Sequence, residues 1–561
     1  MLKTPAGKVA PAIDNNHALY VQDSWTVGHG LTLDLGVRVE KENLPAPSGI
    51  GISTIRTINF GWADKVEPRL GAAWGSANGK FKVFGSYGVV NDVMKLLLAQ
   101  TSFGAQGFET CAYPLGPNSS GTFSPSDLSF VFGQPGRACP TGVSNVGATF
   151  AGGVTPPSLM ANGVGLIENL NFRPEEPIVP GLKPYRQHEA VFGVDYELFK
   201  NVALEARYDR RRLDHVIEDA SLSDPAHFEI YNVVNPGEGV NATIDGYANF
   251  LTSIGDAFGP GTAAFNSPAD FGTCPSCPPN PKAVRSYDGV ELRVTKGLSS
   301  NWGGMFSYTY SRLRGNYAGL TTTDQTDGGI TGRNSPDTTR SFDEPFYYFG
   351  ANGRSNNGPL PTDRPNAFKG YGYYALPWWS KTNKTTFGLF QAAYSGSPVS
   401  SSTDVGLAIP SSIFPFPIES LYPFGRGKFA NITGTTGNLT FGTPFARRTP
   451  WYTQTDFNVS HAIKVNKNNE AQTLSFSAEF TNLFNQRAVT AYWEGFNSNA
   501  NASALFPFNI FNGASFYQQV EGGYNAQAQA NADGLVLNSL YGKPLLWQSP
   551  RSIRLGVAFT F

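Results

Sequence analysis

PRSIRLGVAFTF, residues 550–561, closes the chain with an uninterrupted alternation. On an extended strand Ile553, Leu555, Val557, Phe559 and Phe561 point one way and Arg554, Gly556, Ala558 and Thr560 the other. Chain ends usually fray, yet here the pattern runs to the last residue, so the apolar side needs a burial partner. The same two-residue period returns upstream. GLTLDLGVRVE (30–40) sets Leu31, Leu33, Leu35, Val37 and Val39 against Thr32, Asp34, Arg38 and Glu40. HEAVFGVDYELF (188–199) sets Ala190, Phe192, Val194, Tyr196 and Leu198 against Asp195 and Glu197, and NVALEARYDRR (201–211) sets Val202, Leu204, Ala206 and Tyr208 against Glu205, Arg207, Asp209 and Arg211.

This alternation predicts about thirteen strands: 17–27, 30–42, 66–76, 80–92, 185–198, 201–216, 286–298, 301–315, 364–376, 382–397, 451–466, 470–486 and 550–561. Helical periodicity of useful length is not seen. The connections alternate strictly in length. Short ones fall at 27–30, 76–79, 199–201, 299–301, 377–381 and 466–469, and long ones at 43–65, 93–184, 217–285, 316–363, 398–450 and 487–549. Soluble sandwiches do not alternate this way, whereas outer-membrane barrels pair short periplasmic turns with long outer loops. The strands reach about 15 residues, against about 5–6 in soluble sheets. The expected fold is therefore an all-β transmembrane antiparallel barrel whose apolar face lies against acyl chains. Trp25, Trp302, Trp378 and Trp379 sit by short turns, and Tyr308, Tyr310 and Tyr394 near the opposite strand ends, the spacing of two interfacial girdles.

Composition agrees. Of 561 residues 15% are charged and 13% aromatic, with 62 Gly and 40 Pro, where soluble domains carry about 25% charge. The net charge of -1 offers nothing to nucleic acid. A run of about 18 apolar residues, the mark of a membrane helix, is missing. The mean hydropathy of -0.24 suits strands that show only alternate residues to lipid. The first residues, MLKTPAGKVAPAIDNN, lack the apolar stretch of a signal peptide. Cys111 with Cys139 and Cys274 with Cys277 lie in loop-like sequence and read as two disulfides of an oxidising compartment. A zinc site at CPSC would need a second CxxC, and redox chemistry there would need a βαβ setting.

NNHALYVQDSWTVGHGLTLDLGVRVE, KVEPRLGAAWG, LKPYRQHEAVFGVDYELFKNVALEARYDRRRLD, DRPNAFKGYGYY, FSAEFTNLFNQRAV and SPRSIRLGVAFTF together resemble TonB-dependent outer-membrane receptors. More narrowly they resemble the Oar-like branch, in which a carboxypeptidase-regulatory-like module often precedes the plug. The most specific pieces are NLFNQR (482–487) and the terminal Phe561. The resemblance implies a barrel of about 22 strands around a plug, a TonB box, and the bacterial outer membrane as location. It also implies TonB and the barrel-assembly machinery as partners, the latter reading Phe559 and Phe561. Strands 17–27 and 550–561 run in the same direction and cannot close an antiparallel ring. Residues 1–16 are thus expected to be a remnant of an outer loop and 17–561 the C-terminal part of the barrel, with plug, TonB box and about nine strands outside it.

Two sets of side chains are candidate sites. Asp195, Glu197, Glu205, Arg207, Asp209, Arg211, Glu291 and Arg293 form a lumen-facing ionic belt that pairs internally, holds a plug, or guides a ligand. Phe346, Tyr347, Tyr348, Tyr492 and Trp493 lie in long loops, where binding residues concentrate, and either stack on a ligand or pack the loops. Asp324 and Asp327 hint at calcium, but their spacing misses the EF-hand pattern. HExxH, GxSxG and Walker motifs are all missing, so neither an enzyme nor a cofactor is expected. The expected function is energised import of a siderophore, glycan or peptide. The alternatives are a passive porin-like or adhesive barrel, and a secreted soluble β protein.

Overall fold

The computed structural model describes residues 13–45, 57–94, 181–221, 231–236, 282–318, 350–380, 383–405, 419–465, 472–497, 522–532 and 534–561, with the short strands 2–5, 108–112 and 165–169 and the single residues 96 and 178. Thirteen strands pair in chain order into one antiparallel sheet: β1 Asn15–Gly28, β2 Leu31–Pro45, β3 Thr57–Gly75, β4 Phe81–Asn91, β5 Arg186–Phe199, β6 Val202–His215, β7 Arg285–Ser299, β8 Trp302–Gly315, β9 Asn366–Ser380, β10 Asn383–Tyr394, β11 Tyr452–Lys464, β12 Thr473–Thr481 and β13 Ser552–Thr560. The two-residue strand Gly358–Pro359 adds to the side of β8. All thirteen expected strands are present in order, but β3 begins at Thr57, nine residues inside the expected connection 43–65, and β12 ends at Thr481, short of the expected 486.

Tight hairpin turns set the lower end. Ser300 and Asn301, both with positive φ (52° and 67°), join β7 to β8, the left-handed pair whose twist matches the flanking strands. Gly30 in the β1–β2 turn has φ +81°, and a Cβ there would lie 2.0 Å from the Gly75 carbonyl oxygen, so only glycine fits. At the upper end the long connections gather into a layer of short hairpins. Ile432–Thr435 pairs with Asn438–Phe441, and Val489–Tyr492 with Pro544–Trp547, beside the helix Ala526–Ala532.

The two sheet faces differ sharply. Leu19, Val21, Phe192, Leu298, Phe306, Leu555 and Val557 share one face and are 52–78% exposed, an arrangement that in water would be an aggregation surface. The buried apolar core sits instead among the upper loops. Tyr317, Ala430, Ile432, Leu439, Phe496 and Leu535 pack together there, and they include one strand residue of the polar face, Leu213. A second cluster, Leu44, Ile58, Phe60, Met94, Ile217 and Val233, caps β2 and β3. Apolar faces buried between two sheets, as a soluble sandwich requires, do not occur among the described residues.

The edges are β1 and β13, each with one neighbour. Both run toward the short turns, and the sheet does not close on itself. Trp25, Trp74, Trp302 and Trp378 stand exposed on the apolar face near the short turns, and Tyr310 near the upper end. Tyr394 departs from the expected girdle. It lies opposite Tyr452 and on the same polar face as Lys369, whose ammonium stands 5.8 Å from its ring.

Candidate functional site

The belt charges occupy one face because their strand positions differ by two. Across β5, β6 and β7, Glu205 lies opposite Asp195 on one side and Arg293 on the other, and Arg207 lies opposite Gly193 and Glu291. The side chains interlock. Arg207 reaches Asp209 at 3.1 Å, Glu291 at 3.2 Å and Glu205 at 3.8 Å. Arg293 pairs with Glu205 and lies 4.0 Å from Glu291. Beside these, Lys82 of β4 pairs with Asp195 at 3.8 Å, and Arg211 stands 3.6 Å from Glu189 with its guanidinium over the Tyr287 ring. Glu197, at the lower rim, is exposed and has no ion-pair partner among the described residues. Five of the eight belt residues, Glu205, Arg207, Asp209, Glu291 and Arg293, thus form one network, Asp195 and Arg211 pair outside it, and Glu197 stands apart. Its members are part-exposed, so each pair contributes about 0–1 kcal/mol.

A second, sealed ionic cluster sits higher on β2 and β3. Glu40, Glu42, Lys65 and Glu67 are 0–4% exposed. Lys65 Nζ lies 2.9 Å from Glu42 Oε2 and 3.2 Å from Glu40 Oε2, and donates to the Asp92 carbonyl at 3.1 Å. Glu42 Oε1 accepts the Met94 amide at 2.6 Å, and Glu67 Oε1 accepts the Asn91 amide at 2.8 Å. Arg38 and Arg69 close the ring on Glu40 and Glu67. Burying charge is costly unless every group is paired, and the cluster meets that demand by drawing residues 91–94 onto the wall. Just above, burial and the neighbouring Glu42 raise the Asp14 carboxyl to about 6. The sequence reading identified Arg38 and Glu40 as polar-face residues but not Glu42 and Lys65. Both keep the two-residue step of their strands, Glu42 with Glu40 and Lys65 with Glu67, but they stand at the ends of the expected strands, beside the bulge that shifts the register from Lys65 to Phe60, and the expected strand 66–76 begins only after Lys65.

In the loop layer, Arg447 is sandwiched, its guanidinium 4.2 Å from the Phe429 ring and 4.3 Å from the Tyr492 ring. Tyr541 stacks on the far side of Phe429 at 4.9 Å and 11° and donates to the Ala430 carbonyl at 2.6 Å. Tyr492 is therefore engaged in loop packing, and the neighbouring Trp493 donates its backbone amide to the Lys543 carbonyl at 2.9 Å. Beneath this stack Glu494 is raised to about 8 by burial, and burial lowers Arg426 to about 10. Phe346, Tyr347, Tyr348, Cys139, Cys274, Cys277, Asp324 and Asp327 lie outside the described residues. Cys111 falls on the short strand Phe108–Ala112, whose side chains are likewise outside.

The NLFNQR segment is a corner that fixes β13. Asn482, with φ +53°, accepts the Gln486 amide and donates to the carbonyls of Gln486 and Ser549 at 2.9 and 3.0 Å. Asn485 accepts the Arg551 amide at 3.0 Å. The strand so registered ends with Phe559 and Phe561 stacked at 6.0 Å, the latter 88% exposed on the apolar face.

Comparison with known proteins gives three results. The family model described as outer membrane beta barrel domain matches residues 4–505. The TonB-dependent transporter Oar of Myxococcus xanthus is 24% identical over 559 residues, covering 97% of this chain and 42% of its own. Among solved structures, the ferripyoverdine receptor of Pseudomonas aeruginosa (10% identity, TM-score 0.38) and the siderophore receptor PiuA of Acinetobacter baumannii (11%, 0.38) are covered over 39% and 44% of their lengths by 98% of this chain. The chain thus spans less than half the length of the relatives it matches.

Proposed function

The chain belongs to the outer membrane beta barrel domain family of the bacterial outer membrane, and on that premise we propose that it is the barrel portion of a TonB-dependent receptor importing a large nutrient, a siderophore, glycan or peptide. The observation that carries this reading is the pair of unpaired edges, β1 and β13, running the same way. An antiparallel ring needs up-running strands against both, hence an odd number of further strands. A second copy of this chain in the same orientation offers only down-running edges and would pair in parallel. The completing strands then belong to the same receptor, together with a plug and TonB box, and residues 17–561 are the C-terminal part of its barrel. Similarity to the transporter Oar along 97% of the chain supports this.

In this reading the belt of Glu205, Arg207, Asp209, Glu291 and Arg293 faces the lumen and the plug. The loop aromatics Phe346, Tyr347, Tyr348 and Trp493 contact the nutrient, and the four cysteines pair within the outer loops. Phe561, with Phe559, is read by the barrel-assembly machinery. The test is to isolate the native gene product from outer membranes, measure its intact mass, and assay binding to the purified periplasmic domain of TonB. A mass well above 60.5 kDa with TonB binding is expected. A 60.5 kDa product that ignores TonB and conducts steadily in planar bilayers would overturn the reading in favour of a passive pore.

A further inference from the structure

Near its upper end the outer, lipid-side face of β6, β7 and β8 carries a cluster of charge that neither import nor the inner belt uses. On β6 and β8 the alternation that gives Leu204, Ala206 and Tyr208, and Phe306, Tyr308 and Tyr310, continues upward as Arg210 and Arg212, and as Arg312 and Arg314. β7 lies between and contributes one carboxylate, Asp288, opposite both Arg210 and Arg312. Arg212 holds it at 2.8 Å, Tyr208 donates to it at 2.8 Å and Arg210 stands 3.9 Å away. Arg312 donates to the Tyr310 hydroxyl at 3.0 Å. Among the described residues neither Arg312 nor Arg314 has a carboxylate within 4 Å, and both are exposed. Asp214, higher on β6, is already shared by Arg186, Lys282, His188 and His215.

Height decides what these arginines meet. Trp302 marks the lower interface, and Arg312 stands ten residues beyond it on the same strand. At about 3.4 Å per residue and a tilt of about 40°, ten residues climb about 26 Å, the height of an apolar band of about 25 Å. The guanidiniums therefore lie level with outer-leaflet headgroups, just above the Tyr208 and Tyr310 rings. One carboxylate leaves the four arginines in large cationic excess, and guanidinium forks match phosphate oxygens in pairs.

We propose that Arg210, Arg212, Arg312 and Arg314 form a docking surface for the phosphate groups of outer-leaflet lipid. The tyrosines below seat the acyl boundary, Arg212 is anchored by Asp288 and by the carbonyls of Arg211 and Tyr287, and Arg312 and Arg314 supply most of the N–H groups that meet phosphate. The test uses the protein purified from outer membranes and reconstituted in phosphatidylcholine nanodiscs, titrated with phosphorylated lipid A, the same lipid dephosphorylated, or inorganic phosphate. The phosphorylated lipid should bind at least tenfold more tightly than the dephosphorylated one. R312Q/R314Q should lose that preference, R312K/R314K should retain part of it, and Arg354→Gln in the loop layer should match wild type. If the double variant folds poorly, as judged by β-sheet circular dichroism, R314Q alone should still lose severalfold. Equal binding of the dephosphorylated lipid, an R312Q/R314Q protein that binds like wild type, or full competition by inorganic phosphate would overturn the proposal.

Discussion

Replacing Lys65 by Met should free the segment behind β4 from the wall. Lys65 is fully buried and lies 2.9 and 3.2 Å from two carboxylates. At an effective dielectric of 20 each contact is worth a gross attraction of about 5 kcal/mol, most of it offset by desolvation. Removing one partner strands the other buried, which costs about 3–5 kcal/mol. That cost falls on residues 91–94, because Glu42 accepts the Met94 amide and Lys65 donates to the Asp92 carbonyl. Hydrogen exchange with mass spectrometry should therefore show protection of the 91–94 peptide falling by about two to three powers of ten, at 1.4 kcal/mol per decade. Strands remote from the cluster, such as β11 and β12, should be unchanged. Glu42→Gln on the same background keeps the acceptor for Met94, removes one stranded charge, and should restore at least a tenth of the lost protection. A fall of less than about threefold in K65M, or no rescue by Glu42→Gln, would refute the idea that the cluster holds this segment.

Other expectations follow from the same structure. Glu494 keeps its proton when folded up to about 8, against 4.5 for its ordinary value, so the unfolded loop releases a proton that the folded one retains. Stability of the loop layer should decline as pH rises from about 4.5 to about 8. Glu494→Gln should flatten that dependence in amide exchange at Phe496. Leu555, 78% exposed on the apolar face of β13, should cost about 2–4 kcal/mol as Arg in vesicle refolding if it stands near the bilayer midplane, whereas Arg554→Leu on the opposite face should cost far less. Asn482→Ala removes three hydrogen bonds at a positive-φ corner and should lower the stability of the β12–β13 pairing by about 2–3 kcal/mol, seen as faster exchange along β13.

The strands were legible because lipid imposes a strict requirement: every residue of a spanning strand faces either acyl chains or the interior, and the alternation records it. Glu205, Arg207 and Asp209 could therefore be set on one face, and the same-way edges deduced, from sequence alone. Lys65 escaped because residues 61–64 loop out of β3 just before it, so the alternation begins only there, and Glu42, though in phase with Glu40, gains its significance only from a partner 23 residues away. Tyr394 was placed at the right height but on the wrong side, since nothing in its aromatic character distinguishes a girdle from an inner wall. The Tyr541–Phe429–Arg447–Tyr492 stack draws on four distant segments, and no local pattern announces such a meeting. Ala526–Ala532, with seven residues, is too short for helical periodicity to register.

The central claim is that this sheet spans the outer membrane with its short turns in the periplasm and its loop layer outside. An epitope tag inserted at Asn78, in the turn between β3 and β4, or at Thr436, at the tip of an exposed upper hairpin, tests it directly. Antibody on intact cells should bind the Thr436 tag and reach the Asn78 tag only after the outer membrane is permeabilised. Equal binding to both tags on intact cells, or recovery of both proteins in the soluble fraction, would contradict the account.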